Sequence, residues 1–173
     1  MDAIHPQVQE LLDREAIRAT IHRFARGLDR HDDAMVASAY HEGALDHHGN
    51  FTGTPAEFIA WANALHAGDW IAHHHHLTTH TVELDGDVAH AETYAIGTFL
   101  RRDEAVVDIA GGRYIDRLER RDGEWRIVAR EAVIEWACAA DAAASRFRFG
   151  VSRDGTWDRS DPSYRRPLVV GAT

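Results

Sequence analysis

Apolar residues recur at helical spacing through the N-terminal segment: Val8, Leu11, Leu12, Ile17, Ile21, Phe24, Ala25 and Leu28. The spacing predicts a long amphipathic helix with Pro6 near its first turn and Gly27 and Asp29 at its end. Asp33 is placed to cap a short second helix carrying Met35, Val36 and Tyr40. "ALDHHGNFTG" reads as a short strand and a turn. In "TPAEFIAWANAL", Thr54 as N-cap, Pro55 behind it and Glu57 three after the cap form a capping box, opening a third helix through Leu65. After Gly68 the period changes. "IAHHHHLTTHTVEL" alternates and ends in "DGD", a hairpin turn, and "VAHAETYAIGTFLRR" returns. Two further strands follow, joined by Arg121-Asp122-Gly123. "AGGRY" reads as a hairpin Gly pair with no helix after it, and thus as weak evidence for phosphate binding. Three helices interrupted by a strand, then a four-strand antiparallel meander, predict an α+β domain: a curved sheet with helices on one face.

The segment His73–Tyr94 holds six of the chain's 13 histidines. Successive strand side chains point to opposite faces. If Val82 and Leu84 face the core, so do His76, Thr78 and His80, unless a bulge shifts the register. His73 and His75 then fall outside as solvated residues, and His74 shares the phase of His76 nearer the strand's start. A metal held by His74, His76 and His80 with Asp46 or His48 is not expected. Alternate strand residues lie roughly 7 Å apart, and neither HExxH nor clustered cysteine is present. An inward His76 is either a core histidine bonded to backbone or, with Asp29 as partner, a general base. A carboxylate bonded to an imidazole fixes its tautomer and stabilises its protonated form. Asp29 by itself reads more readily as a helix-end residue than as a catalytic partner.

Composition narrows the possibilities. The chain has 173 residues, 45% hydrophobic and 27% charged, enough for one domain with a real core. A net charge of −9 argues against nucleic acid or an anionic membrane as partner. All 19 basic residues are Arg, so lysine Schiff-base chemistry is excluded. Cys138, the single cysteine, forms no internal disulfide and reads as a small buried hydrophobe rather than a catalytic thiol. The N-terminus lacks a signal pattern and no apolar run approaches a membrane span, so a cytoplasmic location is expected.

"DREAIRATIHRFARGLDRHD" (residues 13–32), "HLTTHTVELDGDVAHAET" (76–93) and "GGRYIDRLERRDGEWRI" (111–127) resemble the SnoaL-like branch of the nuclear transport factor 2-like superfamily. That branch includes scytalone dehydratase, hexachlorocyclohexane dehydrochlorinase and bile-acid 7α-dehydratase. The resemblance covers residues 8–137 and implies a cone-shaped partial barrel around an apolar pocket; the last stretch, rich in Arg, Asp, Pro and Ser, makes 138–173 read as an extended tail packing on the domain or a neighbouring subunit. It implies an Asp29–His76 dyad and pocket positions for Arg130, Tyr94, Tyr114 and Asp46. Phe24 stands where the bile-acid enzyme has a pocket tyrosine, and Asp46 where the dehydrochlorinase has a tryptophan. With His48 and His80, Asp46 makes a more polar pocket that suits substrate hydroxyls, or else these are solvated or structural groups.

The expected function is a cofactor-independent lyase that eliminates water or a small carbonyl fragment such as formaldehyde from a hydrophobic hydroxylated aromatic, diaryl or polycyclic molecule. The alternatives are a polyketide-type cyclase or isomerase, or a non-catalytic binding or oligomerisation module. No cofactor and no metal are expected. The expected partners are the small substrate and further copies of the chain, as a homotrimer or, second, a dimer.

Overall fold

The computed structural model describes residues 4–144 and 155–168. Helix α1 (Pro6–Arg30) is followed by α2 (Asp33–Ala37), β1 (Tyr40–His48), β2 (Phe51–Gly53), α3 (Pro55–Asp69), β3 (Trp70–Asp85), β4 (Val88–Arg101), β5 (Val106–Arg121) and β6 (Glu124–Asp141). A 3₁₀ turn, Pro162–Tyr164, lies in the described part of the tail. The six strands form one curved, unclosed sheet in the order β2-β1-β6-β5-β4-β3. The meander β3–β6 is antiparallel, and β1 returns parallel to β6. This is the α+β architecture expected. Residues 145–154 and 169–173 of the expected tail fall outside the described residues, and β6 itself continues past residue 137 to Asp141.

Local chemistry explains most boundaries. Thr54 and Glu57 form the capping box that starts α3: the Thr54 backbone N–H donates to Glu57 Oε2 at 2.8 Å, and Glu57 N–H donates to Thr54 Oγ1. The β3–β4 and β5–β6 turns need left-handed backbone at Gly86 (φ 60°), Asp122 (φ 52°) and Gly123 (φ 81°). Two details differ from expectation. Asp32, not Asp33, caps α2 by accepting from Met35 N–H. Tyr40 opens β1 rather than extending α2, because the helix stops at Ala37 and the chain enters the sheet beside Ile127.

The buried face of α1 carries Ile17, Ile21, Phe24, Ala25 and Leu28, packed over Ala89, Ala91, Leu118 and Ile127 of the sheet. Burying each large side chain contributes about 1.5–3 kcal/mol. "AGGRY" lies within β5, not in a hairpin turn: the register shifts between Gly111 and Gly112, opposite Ile134 and Trp136. A Cβ on Gly112 would stand 2.0 Å from the Val133 carbonyl oxygen, so only glycine allows this close approach.

A second register shift positions the site. Leu77 pairs with Ala95, but His80 pairs with Thr93, so β3 spends one more residue than β4 between these pairs. Thr78 and Thr79 are both exposed there. Beyond the bulge His80, Val82 and Leu84 are half-buried; before it the phase is reversed, with His73 buried, His75 and Leu77 half-buried, and His74 and His76 exposed.

Candidate active site

Asp29 sits in the last turn of α1, which ends in a left-handed cap at His31 (φ 48°) whose N–H reaches back to Gly27 and Leu28 carbonyls. The Asp29 carboxylate faces β3. It accepts the His75 backbone N–H at 3.1 Å from both oxygens, and Oδ1 accepts the His75 ring Nδ1–H at 2.7 Å. Both side chains are largely buried, His75 at 8% exposure and Asp29 at 14%. The expected dyad with His76 is therefore corrected. His76 lies on the outer face, where Thr98 Oγ1 is 3.5 Å from its Nε2. The bulge is the physical reason, because parity counted back from Val82 fails across it. The same shift brings His73 and His75 inside, against the expectation of a solvated pair.

Donation by Nδ1 leaves Nε2 as the lone-pair nitrogen of His75. His75 lines a cavity of about 500 Å³ together with Leu28, His48, Phe58, Trp61 and Phe99. It also lines a recess of about 80 Å³ with Tyr114, His48 and Gly112. A groove of about 390 Å³ between α1 and the tail reaches the Asp29 side of the pair. The 500 Å³ cavity, mostly apolar with a few polar groups at its wall, has the character of a small-molecule site.

Beneath the cavity lies a buried polar layer. Arg130 makes two hydrogen bonds to Asp116, at 2.7 and 2.8 Å, with both side chains fully buried. Its guanidinium lies against both the Phe24 ring (3.9 Å) and the Tyr114 ring (4.3 Å), which meet edge to face. Burial opposes the Arg130 charge, but Asp116, Tyr40 and Asp46 outweigh it and raise its pKa. Nη1 of Arg130 has no hydrogen-bond partner. The Tyr40 hydroxyl donates to Asp46, and His48 Nδ1 lies 3.3 Å from the other Asp46 oxygen. Burial, with Asp46 reinforcing it against Arg130, holds the Tyr40 phenol well above its ordinary range.

The other expected site residues divide by place. His48 and Tyr114 face the small recess beside His75. Phe24, Asp46 and Arg130 are in the layer below, buried. His80 faces inward and bonds Thr93 Oγ1 at 2.8 Å; burial, then His22 and Arg18, lower its pKa. Tyr94 is not in the pocket. On β4 the buried positions are Ala89, Ala91, Thr93, Ala95 and Gly97, so Tyr94 points outward, 43% exposed, beneath Arg113. Cys138 is exposed at the cavity edge rather than buried.

Three histidines around the dyad are closely packed. His73 Nε2 is 3.1 Å from the Leu28 carbonyl oxygen, the His66 ring lies tilted against His73 (4.1 Å between rings, 46°), and His31 lies 5.5 Å from His73. Burial and the neighbouring imidazoles push His66 down to about 2. Burial, then His75, push His73 down to about 4. Sequence reasoning missed His75, placed His73 outside and singled out neither His31 nor His66.

A family model described as a SnoaL-like domain matches residues 9–131. The chain belongs to this family. No curated protein matches the chain. Among solved structures, this SnoaL-like chain resembles a hexachlorocyclohexane dehydrochlorinase from Novosphingobium barchaimii (TM-score 0.72, 19% identity, 82% of this chain and 98% of that one). It also resembles a protein described as a candidate scytalone dehydratase from Novosphingobium aromaticivorans (0.68, 17%, 78% and 91%). A third is a protein of unknown function from Mycobacterium tuberculosis (0.67, 24%, 78% of each chain). At these identities the likeness establishes the fold. Among the described residues no helix is long and apolar enough to cross a membrane.

Proposed function

We propose that this SnoaL-like domain is a cofactor-independent lyase acting on a hydrophobic hydroxylated aromatic, diaryl or polycyclic molecule, with His75 as general base and Asp29 as its orienting partner. The observation that carries the reading is the 2.7 Å Asp29–His75 bond in a largely buried pair whose His75 lines an apolar cavity. Nε2 removes a proton from carbon or oxygen of the bound molecule. In a dehydration the C–H electrons form the new double bond as the C–O bond breaks, and the departing hydroxide takes the proton back from the His75 imidazolium to leave as water. In a formaldehyde release the deprotonated hydroxymethyl oxygen becomes the carbonyl, the C–C bond breaks, and His75 returns its proton to the carbanion. Asp29 stabilises the imidazolium in either case, and such positioned acid–base catalysis contributes about 10²–10⁴-fold. The similarity to a dehydrochlorinase and a candidate dehydratase supports an elimination.

A homotrimer belongs to the same reading. Tyr94, Ile96, Ile115 and Trp136 are exposed strand residues, an apolar set that a neighbouring copy would cover. Light scattering that shows a monomer contradicts this part.

The test is a turnover screen of wild type and His75→Ala, in EDTA without added cofactor, against hydroxylated aromatic, diaryl and steroid compounds. Loss of water or formaldehyde with wild type alone is the expected result. A product of unchanged mass would move the assignment to an isomerase. Compounds bound but unchanged by both proteins would make the domain a binding module.

A further inference from the structure

The proposed reaction does not use His31, His66 or His73. These side chains come from three elements: His31 caps α1, His66 is in the last turn of α3 and His73 is near the start of β3. One ring nitrogen from each lies within 4.8 Å of the other two. Each residue also has a buried ring nitrogen without a hydrogen-bond partner: Nε2 of His31, Nδ1 of His66 and Nδ1 of His73. Buried polar atoms without partners are few in native proteins, and three in one cluster demand a common cause.

The donor chemistry suits a metal. His73 uses Nε2–H to donate to the Leu28 carbonyl, which fixes the tautomer and leaves Nδ1 with its lone pair. A hydrogen bond from the far nitrogen to a backbone carbonyl is the usual support of a metal-binding histidine. A second cluster, Asp29 with His73 and His75, is also close enough to hold an ion. Its groups already have partners, Asp29 in His75 and His73 Nε2 in Leu28, so it has less to gain. The sequence argument against a metal considered His74, His76 and His80; His74 and His76 are exposed on the outer face, whereas His80 faces inward beyond the bulge.

We propose that His31, His66 and His73 form a three-histidine site for a borderline divalent transition-metal ion, of the Zn²⁺, Co²⁺ or Ni²⁺ class. The ion ties the ends of α1 and α3 to the start of β3, at a wall of the cavity that His66 itself lines. Trp157 stacks flat on His31, 4.1 Å between rings at 7°, so the described part of the tail rests on the same cluster.

The probe is Co²⁺, titrated into full-length protein that has been stripped with EDTA and followed by d–d absorption, with Zn²⁺ as competitor. Wild type is expected to bind about one Co²⁺ per chain, displaceable by Zn²⁺. Saturating Zn²⁺ at about a hundredfold over its Kd is expected to raise Tm by about 5–10 °C. His31→Ala and His66→Ala are expected to weaken binding by more than about 100-fold, given that loss of a mere supporting group costs 10–100-fold. His31 is half-buried at a helix end, so His31→Ala decides the matter if His66→Ala fails to fold by circular dichroism. His74→Ala/His76→Ala should bind like wild type. The proposal is overturned if wild type binds no stoichiometric Co²⁺, or if binding survives in folded His31→Ala and disappears in the His74/His76 double variant.

Discussion

The two halves of β3 share one strand and obey opposite parities. In His80–Leu84 the even-numbered residues face the core; in His73–Leu77 the odd-numbered ones do. One extra residue at Thr78–Thr79 separates them. The downstream half packs His80 against Thr93 above the Arg130–Asp116 pair, and its work is structural. The upstream half points His75 at Asp29 and the cavity, where the proposed chemistry lies. Alternation is thus a reliable guide only within an unbroken ladder, and bulges commonly re-aim a side chain beside an active site.

The contrast can be broken by substitution. His75→Ala should lower turnover by about 10²–10⁴-fold with the fold intact, measured as kcat on whichever substrate the screen yields. Asp29→Asn removes the charge that orients the ring, and a loss toward the same range is expected, visible in kcat more than in KM. Full activity in Asp29→Asn would contradict the dyad. In the downstream half the cost should appear in stability instead. Asp116→Ala leaves the Arg130 charge buried and unpaired, which should cost about 3–5 kcal/mol in urea unfolding. His80→Ala, losing one hydrogen bond to Thr93, should cost about 1 kcal/mol with kcat hardly changed. Deleting Thr79 sharpens the comparison further. It removes the extra residue while keeping Leu77 opposite Ala95 and His80 opposite Thr93, so His75 should remain paired with Asp29 and activity should persist. His76→Ala is expected to have the smallest effect of all.

Much of this was legible in the sequence because it is local. The Thr54–Glu57 box, the turns at Gly86 and Gly123 and the apolar stripe of α1 involve neighbours along the chain. Asp29 was legible as a carboxylate at a helix end. The dyad's histidine was misread by one position because a bulge leaves little local mark. One was present: Leu77 is out of phase with Val82 and Leu84, with adjacent polar Thr78 and Thr79 directly after it. Tyr94 was misplaced for a different reason, a carried-over pocket position that the alternation Ala91, Thr93, Ala95 argues against. His31, His66 and His73 come together only through the packing of α1, α3 and β3, and nothing in their spacing announces it.

The most direct test of the central claim needs no substrate. Proton NMR of ¹⁵N-histidine-labelled protein should show a downfield ring N–H from the imidazole bonded to Asp29. The account predicts that this resonance persists in His76→Ala and disappears in both His75→Ala and Asp29→Asn. A resonance that survives in His75→Ala and is lost in His76→Ala would restore the unbroken parity of β3 and contradict the account.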